Sequence, residues 1–205
     1  MASATRALWY KWINATGGAV SAATTPDAVI AQTQTWLERA VIGLNLCPFA
    51  KAVHVKGQIR YVVSDAATPE ALADDLQREL EFLAEANAEA VDTTLLIHPN
   101  VMQDFLDFND FLDVADGMVD ELELDGILQV ASFHPQFQFE NTEPDDITNY
   151  TNRSPYPTLH LLREDSVERA VAAFPQELEI ASTNIETLEK LGHGGWKALE
   201  IPTSG

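Results

Sequence analysis

Residues 93–99 read Thr-Thr-Leu-Leu-Ile-His-Pro, and residues 127–135 read Ile-Leu-Gln-Val-Ala-Ser-Phe-His-Pro. Each is a short apolar, β-prone run that stops at His-Pro, the pattern of a buried strand closed by a residue that cannot continue the ladder. Between them Val101, Phe105, Phe108, Phe111, Leu112, Ala115, Met118, Val119 and Leu122 recur at helical spacing, and Gly126 releases the chain into the second run. Asn100 with Gln103 reads as the capping pair of that helix. Strand, helix, strand at this spacing is a β-α-β crossover, and that unit decides the fold class.

Working outward, the same unit extends upstream. Ile59–Val63 (Ile-Arg-Tyr-Val-Val) is a further strand, and Thr68-Pro69-Glu70 is a cap followed by a first-turn proline. It opens a helix whose apolar face is Leu72, Leu76, Leu80 and Leu83, ending near Asn87. Thr25-Pro26-Asp27 repeats that start for an amphipathic helix running to about Leu46, where Cys47-Pro48 breaks it. Downstream, the polar stretch from Gln136 to Pro155 leads to a fourth strand, Thr158–Leu162. A short helix opens at Asp165, and a last helix carries Asn184, Ile185, Leu188 and Leu191, with Gly192 as its C′ residue. The expected fold is α/β (or α+β): a four-stranded, mostly parallel or mixed sheet with β-α-β-α-β crossovers. Helices pack on the sheet, and the fourth strand after the long loop is antiparallel. Residues 1–26 are expected to be a flexible extension and 27–205 a single globular domain.

The chain has 205 residues, is 46% hydrophobic and 21% charged, and can bury a full core without a disulfide or a structural metal. Its net charge of −20 opposes nucleic acid and anionic membranes as partners, because phosphates are repelled. That charge is uneven. Ser64–Asp125 contains eighteen acids and one base, Arg78, so the acidity belongs to the second and third helices. The bland reading of the aspartates at 104, 107, 110, 113 and 116 is a solvated helix face. One cysteine excludes an internal disulfide and a multi-cysteine metal framework. No run approaches the ~18 apolar residues of a membrane span, and Lys11 and Asn14 interrupt the apolar stretch of the N-terminus. The cytoplasm is the expected compartment.

Three groups of residues could carry chemistry. If a short helix starts at Pro48, Cys47 sits at its N-cap, where helix amides favour the thiolate; the competing reading is a buried, inert cysteine. His98 and His134 follow two strands in the same context. If those strands are parallel neighbours, both imidazoles lie at the carboxyl edge, where open α/β sheets bind ligands. His160 alternates within the fourth strand and reads as a satisfied histidine on the sheet face. The loop Pro135–Pro157 is too long to be a mere connection. Its Asn152-Arg153-Ser154 offers amide, guanidinium and hydroxyl donors suited to an anion, or Arg153 pairs with Glu143, Asp145 or Asp146.

Several of these segments resemble a known bacterial family, domain of unknown function 1415. They are Trp36–Arg39, Leu44–Ala50, Ile59–Asp65, Thr93–Pro99, Phe105–Leu112, Gln129–Pro135, Asn149–Pro157 and Leu159–Glu164. The likeness spans roughly residues 30–195 and implies a domain without an assigned activity, cofactor or catalytic residue. Read from the residues, the leading expectation is a small cytosolic enzyme acting on a small anionic metabolite. His134 is its acid/base, Cys47 its nucleophile, and Asn152, Arg153, Ser154, His98 and His160 hold the ligand. The alternatives are a divalent-metal site drawn from Cys47, His98, His134, His160 and Asp145, or a non-catalytic acidic interaction module that docks a basic partner. Cofactor and oligomeric state are unknown at this point.

Overall fold

The computed structural model describes residues 25–173 and 180–203. Residues 1–24 lie outside them, and with these nearly all of the expected N-terminal extension. The sheet is four-stranded and mixed, in the order β1-β2-β4-β3. Its strands are β1 (Ile59–Val63), β2 (Thr93–Ile97), β3 (Leu128–Phe133) and β4 (Thr158–Arg163). β1 and β2 are parallel, and β4 runs antiparallel to both β2 and β3. β2 and β3 therefore point the same way but are not neighbours. β4 returns from the long loop beside β3 and fills the gap that the crossover leaves. This interior position leaves Leu159 and Leu161, which share one face of the sheet, fully buried beside Leu96.

The six described helices are α1 (Pro26–Trp36), α2 (Ala50–Val55), α3 (Pro69–Glu85), α4 (Phe105–Glu121), α5 (Glu164–Ala173) and α6 (Ile180–Ala198). Thr25 and Thr68 cap α1 and α3 as expected, each accepting from an amide three residues on. The cap of α4 is instead Asp104, which accepts from Leu106 and Asp107 N–H at 2.8 and 3.2 Å. Gln103 reaches back to the Pro99 and Val101 carbonyls. Past Trp36, α1 loosens into a π-helical segment, Leu37–Ile42, rather than continuing as α-helix. A Cβ at Gly43 would lie 2.3 Å from Arg39 O, so only glycine fits that tightly closed exit. Within α6, Gly192 (φ 62°, ψ 174°) is non-helical, so a first helix ends there as expected and a short second one follows it to Ala198.

α3 and α4 cover one face of the sheet. Leu72, Leu76, Leu80 and Leu83 from α3 meet Leu96, Leu128, Leu159 and Leu161, each buried leucine contributing ~1.5–3 kcal/mol. Arg163 Nη2 donates to the carbonyls of Leu83 and Ala86 and so satisfies the C-terminus of α3. α1 and its π-helical continuation cover the other face, with Val29 on Leu95, Ile97 and Tyr156, and Trp36 edge-on to Phe133 at 5.1 Å.

Candidate functional site

His98 and His134 share the carboxyl edge despite the strand between them. Phe108 stacks with both, at 5.5 and 5.2 Å between centroids. Both side chains are fully buried. His98 Nδ1 donates to Val101 O at 3.1 Å, while its Nε2 is buried without a partner among the described residues. Burial lowers its pKa to about 4, against the opposing pull of the Val101 bond. His134 Nδ1 accepts from Gln136 N–H at 3.0 Å, which fixes its proton on Nε2, and Nε2 then donates to Met102 O at 3.1 Å. Burial lowers the His134 pKa as well. Both nitrogens of the expected acid/base are thus bonded to backbone.

The loop after β3 is organised around Asn149, which is fully buried. Its Oδ1 accepts from Phe139 N–H and Thr142 Oγ1, and its Nδ2 donates to Glu143 O. Arg153 clamps the same loop: Nε donates to Phe137 O at 3.1 Å, Nη2 to Pro144 O, and the guanidinium lies 4.4 Å over the Tyr150 ring. Among the described residues it makes no ion pair with Glu143, Asp145 or Asp146. Asn152 Nδ2 reaches Ser132 O, and the buried Ser154 hydroxyl donates to Tyr156 O. The three expected anion donors therefore each meet a protein carbonyl.

Cys47 and His160 lie on the opposite face. Cys47 is partly buried against the cluster of Trp36, Leu37, Ala40 and Val41. It does not cap a helix: α2 begins at Ala50 after Phe49, and the Cys47 carbonyl closes a turn with Ala50 N–H. His160 Nε2 meets Thr93 Oγ1 at 2.8 Å, and the Thr93 hydroxyl donates to Leu161 O at 2.6 Å. Thr93 must then accept from His160, which leaves Nδ1 as the open lone pair. His160 keeps some solvent contact, yet the surrounding protein mass holds its pKa down to about 4. Tyr61, on the same face, has a buried hydroxyl without a partner among the described residues; burial and the nearby Glu38 raise its pKa to about 12. Among the described residues, no three His, Cys, Asp or Glu side chains group to hold a metal ion.

The structure opens elsewhere. A groove of about 400 Å³ lies at the carboxyl end of β1, lined by Val62, Val63, Ser64, Asp65 and Ala66 and, across from them, Ala71, Asp75, Arg78 and Glu79 of α3. This falls within the ~300–1,000 Å³ usual for ligand sites. Ser64 is almost fully buried. Its hydroxyl accepts from Ala66 N–H at 3.0 Å and donates to Asp75, whose other oxygen holds Arg78. Glu79 is held by both Nε and Nη2 of Arg60, at 2.7 and 3.1 Å. None of these residues stands out by type in the sequence. The available signals were a Ser-Asp pair immediately after a strand, and Arg78 as the single base among eighteen acids.

Against known proteins, the family described as protein of unknown function (DUF1415) matches residues 28–198. The chain belongs to this family. The DUF1415 match runs from α1 to the end of α6 and so contains the groove, the histidine edge and the loop of Arg153 alike. No curated protein matches, and no solved structure does. Among the described residues, no helix is long and apolar enough to cross a membrane.

Proposed function

We propose that this DUF1415 protein is a binding module whose ligand is cationic and sits in the groove between the end of β1 and α3. The observation that carries the reading is the groove itself: an opening of ligand size lined by Asp65, Asp75 and Glu79, in which Arg78 pairs with Asp75 and Arg60 with Glu79, so that Asp65 leaves the acids in excess. The Ser64 hydroxyl, anchored on both sides, fixes the Asp75 carboxylate and the turn after β1. The field of Ser64–Asp125, eighteen acids to one base, concentrates cations over this side of the molecule and speeds their encounter.

The experiment is thermal unfolding with N-acetyl-lysine amide, or with sulfate, at millimolar concentration. Asp75→Asn keeps the oxygen that accepts from Ser64 and removes the charge. Asp113→Asn makes the same charge change on α4, away from the groove. The amine is expected to raise the Tm of the wild type and of Asp113→Asn, and to lose that effect in Asp75→Asn. Stabilisation by sulfate instead, or equal responses in the two variants, contradicts the reading.

A catalytic reading through His134 and Cys47 has less support, since His134 is bonded at both nitrogens and Cys47 lies on the other face. Two of the buried imidazoles keep a nitrogen outside these bonds among the described residues: His98 Nε2, which is sealed from solvent, and Nδ1 of His160, which Thr93 orients and which keeps some solvent contact. This favours, as a second reading, a histidine-dependent site on the α1 face. Histidine NMR tests its premise: His160 as the Nε2–H tautomer, neutral down to about pH 4. A His160 that protonates near 6.5 removes that premise.

A further inference from the structure

A small cation would leave the main chain along the groove unused. β1 is the outermost strand of the sheet on this side. Ser64 N–H donates inward to Ile97 O at 2.8 Å. Alternate residues of a parallel strand turn their amides the same way, so Tyr61 and Val63 present N–H and C=O outward. Among the described residues no other hydrogen bond reaches those groups. The groove floor is five consecutive residues, 62–66. Its wall is one face of α3, Ala71, Asp75, Arg78 and Glu79 at i, i+4, i+7 and i+8. A cleft between an open strand edge and a helix can take an extended chain as an added strand.

We infer that the ligand of this groove is a basic, extended peptide segment that pairs with the outer edge of β1. The inference rests on the binding reading above and names its ligand class. An added strand turns alternate side chains to opposite sides. One set meets Asp75 on the α3 side, where Lys or Arg is favoured. The other meets the side where Val63 packs with Val29 and Tyr61, where an apolar residue is favoured. A second copy of this chain is a poor occupant. Pairing β1 with β1 would bring together two α3 helices, each carrying Glu70, Asp74, Asp75, Glu79, Glu81 and Glu85 against Arg78 alone.

The test is fluorescence polarisation with the full chain and a labelled peptide, acetyl-Thr-Lys-Val-Lys-Val-Thr-amide. Two backbone-methylated analogues accompany it, one methylated at both lysine nitrogens and one at both valine nitrogens. Only one of these parities faces β1 in a strand. The parent is expected to bind, one analogue to lose about tenfold or more in affinity, and the other to lose little. Asp75→Asn is expected to weaken the parent, and Asp113→Asn to leave it near the wild-type value. If both analogues bind like the parent while Asp75→Asn weakens all three, the strand pairing is overturned and the cationic groove stands. If Asp75→Asn changes nothing, or no more than Asp113→Asn does, the groove reading falls as well. A chain that sediments as a dimer, and becomes monomeric on Val63→Pro, would put a second copy on the edge and overturn the peptide assignment.

Discussion

Arg153 and Asn149 hold the long loop by complementary means: a guanidinium clamped on two carbonyls and an aromatic ring, and a buried amide that satisfies three partners. Truncation should rank them. Arg153→Ala is expected to cost ~1–2 kcal/mol, because its bonds are partly solvated, and Asn149→Ala ~3 kcal/mol, because it strands buried groups. Urea unfolding measures both; an Arg153→Ala protein as stable as the wild type would show that the clamp does not form. The histidines set a pH window. Burial lowers both His98 and His160 to about 4 in the folded state, whereas in an unfolded chain they titrate near ~6.5. Between those values the unfolded chain holds more protons, so stability is complete above ~6.5 and declines as pH falls toward 4. Unfolding at pH 5.5 should therefore be accompanied by proton uptake. His98 faces His134 and Phe108, and His160 faces Thr93 and Phe133. Substituting either by Asn should reduce the pH slope. Constant stability from pH 7 to 5 would contradict the buried neutral state of both.

Among the elements, the two His-Pro strands and the leucine face of α3 were legible because period and punctuation are local properties. The position of β4 was not. Thr-Leu-His-Leu-Leu turns Leu159 and Leu161 to one face and Thr158, His160 and Leu162 to the other, which signals burial of one face but does not say between which strands. The inserted strand separates β2 from β3, yet their common direction still brings His98 and His134 to Phe108. The π-helical segment was invisible for a related reason: Leu37, Ala40, Val41 and Leu44 fit an α-helical period as well as the wider turn the chain adopts. Gly43 is the residue that betrays it. Gly43→Ala places a Cβ against Arg39 O and should cost about 1–3 kcal/mol through displacement of that turn. Circular dichroism during urea unfolding tests this; an unaffected variant would mean that the exit is not tightly closed. The roles expected of Asn152, Arg153 and Ser154 rested on residue type alone. Donor groups in a loop serve an outside anion or the loop's own carbonyls equally well, and only tertiary geometry distinguishes the two.

For the molecule as a whole, the charge asymmetry and the opening coincide. The acidic segment 64–125 supplies α3, and α3 forms the wall of the groove at the open edge of the sheet. The histidine edge and the loop of Arg153, by contrast, are closed by their own hydrogen bonds. A cationic ligand is proposed to enter between β1 and α3. The most direct measurement is a ¹H–¹⁵N NMR titration of the full chain with acetyl-Thr-Lys-Val-Lys-Val-Thr-amide at low salt. The largest amide shifts are expected on Tyr61, Val63, Ser64, Asp65, Ala66 and Asp75, while His134, Asn152 and Arg153 stay in place. Shifts centred on His134 and Arg153, or spread evenly over the acids of α4, would contradict it.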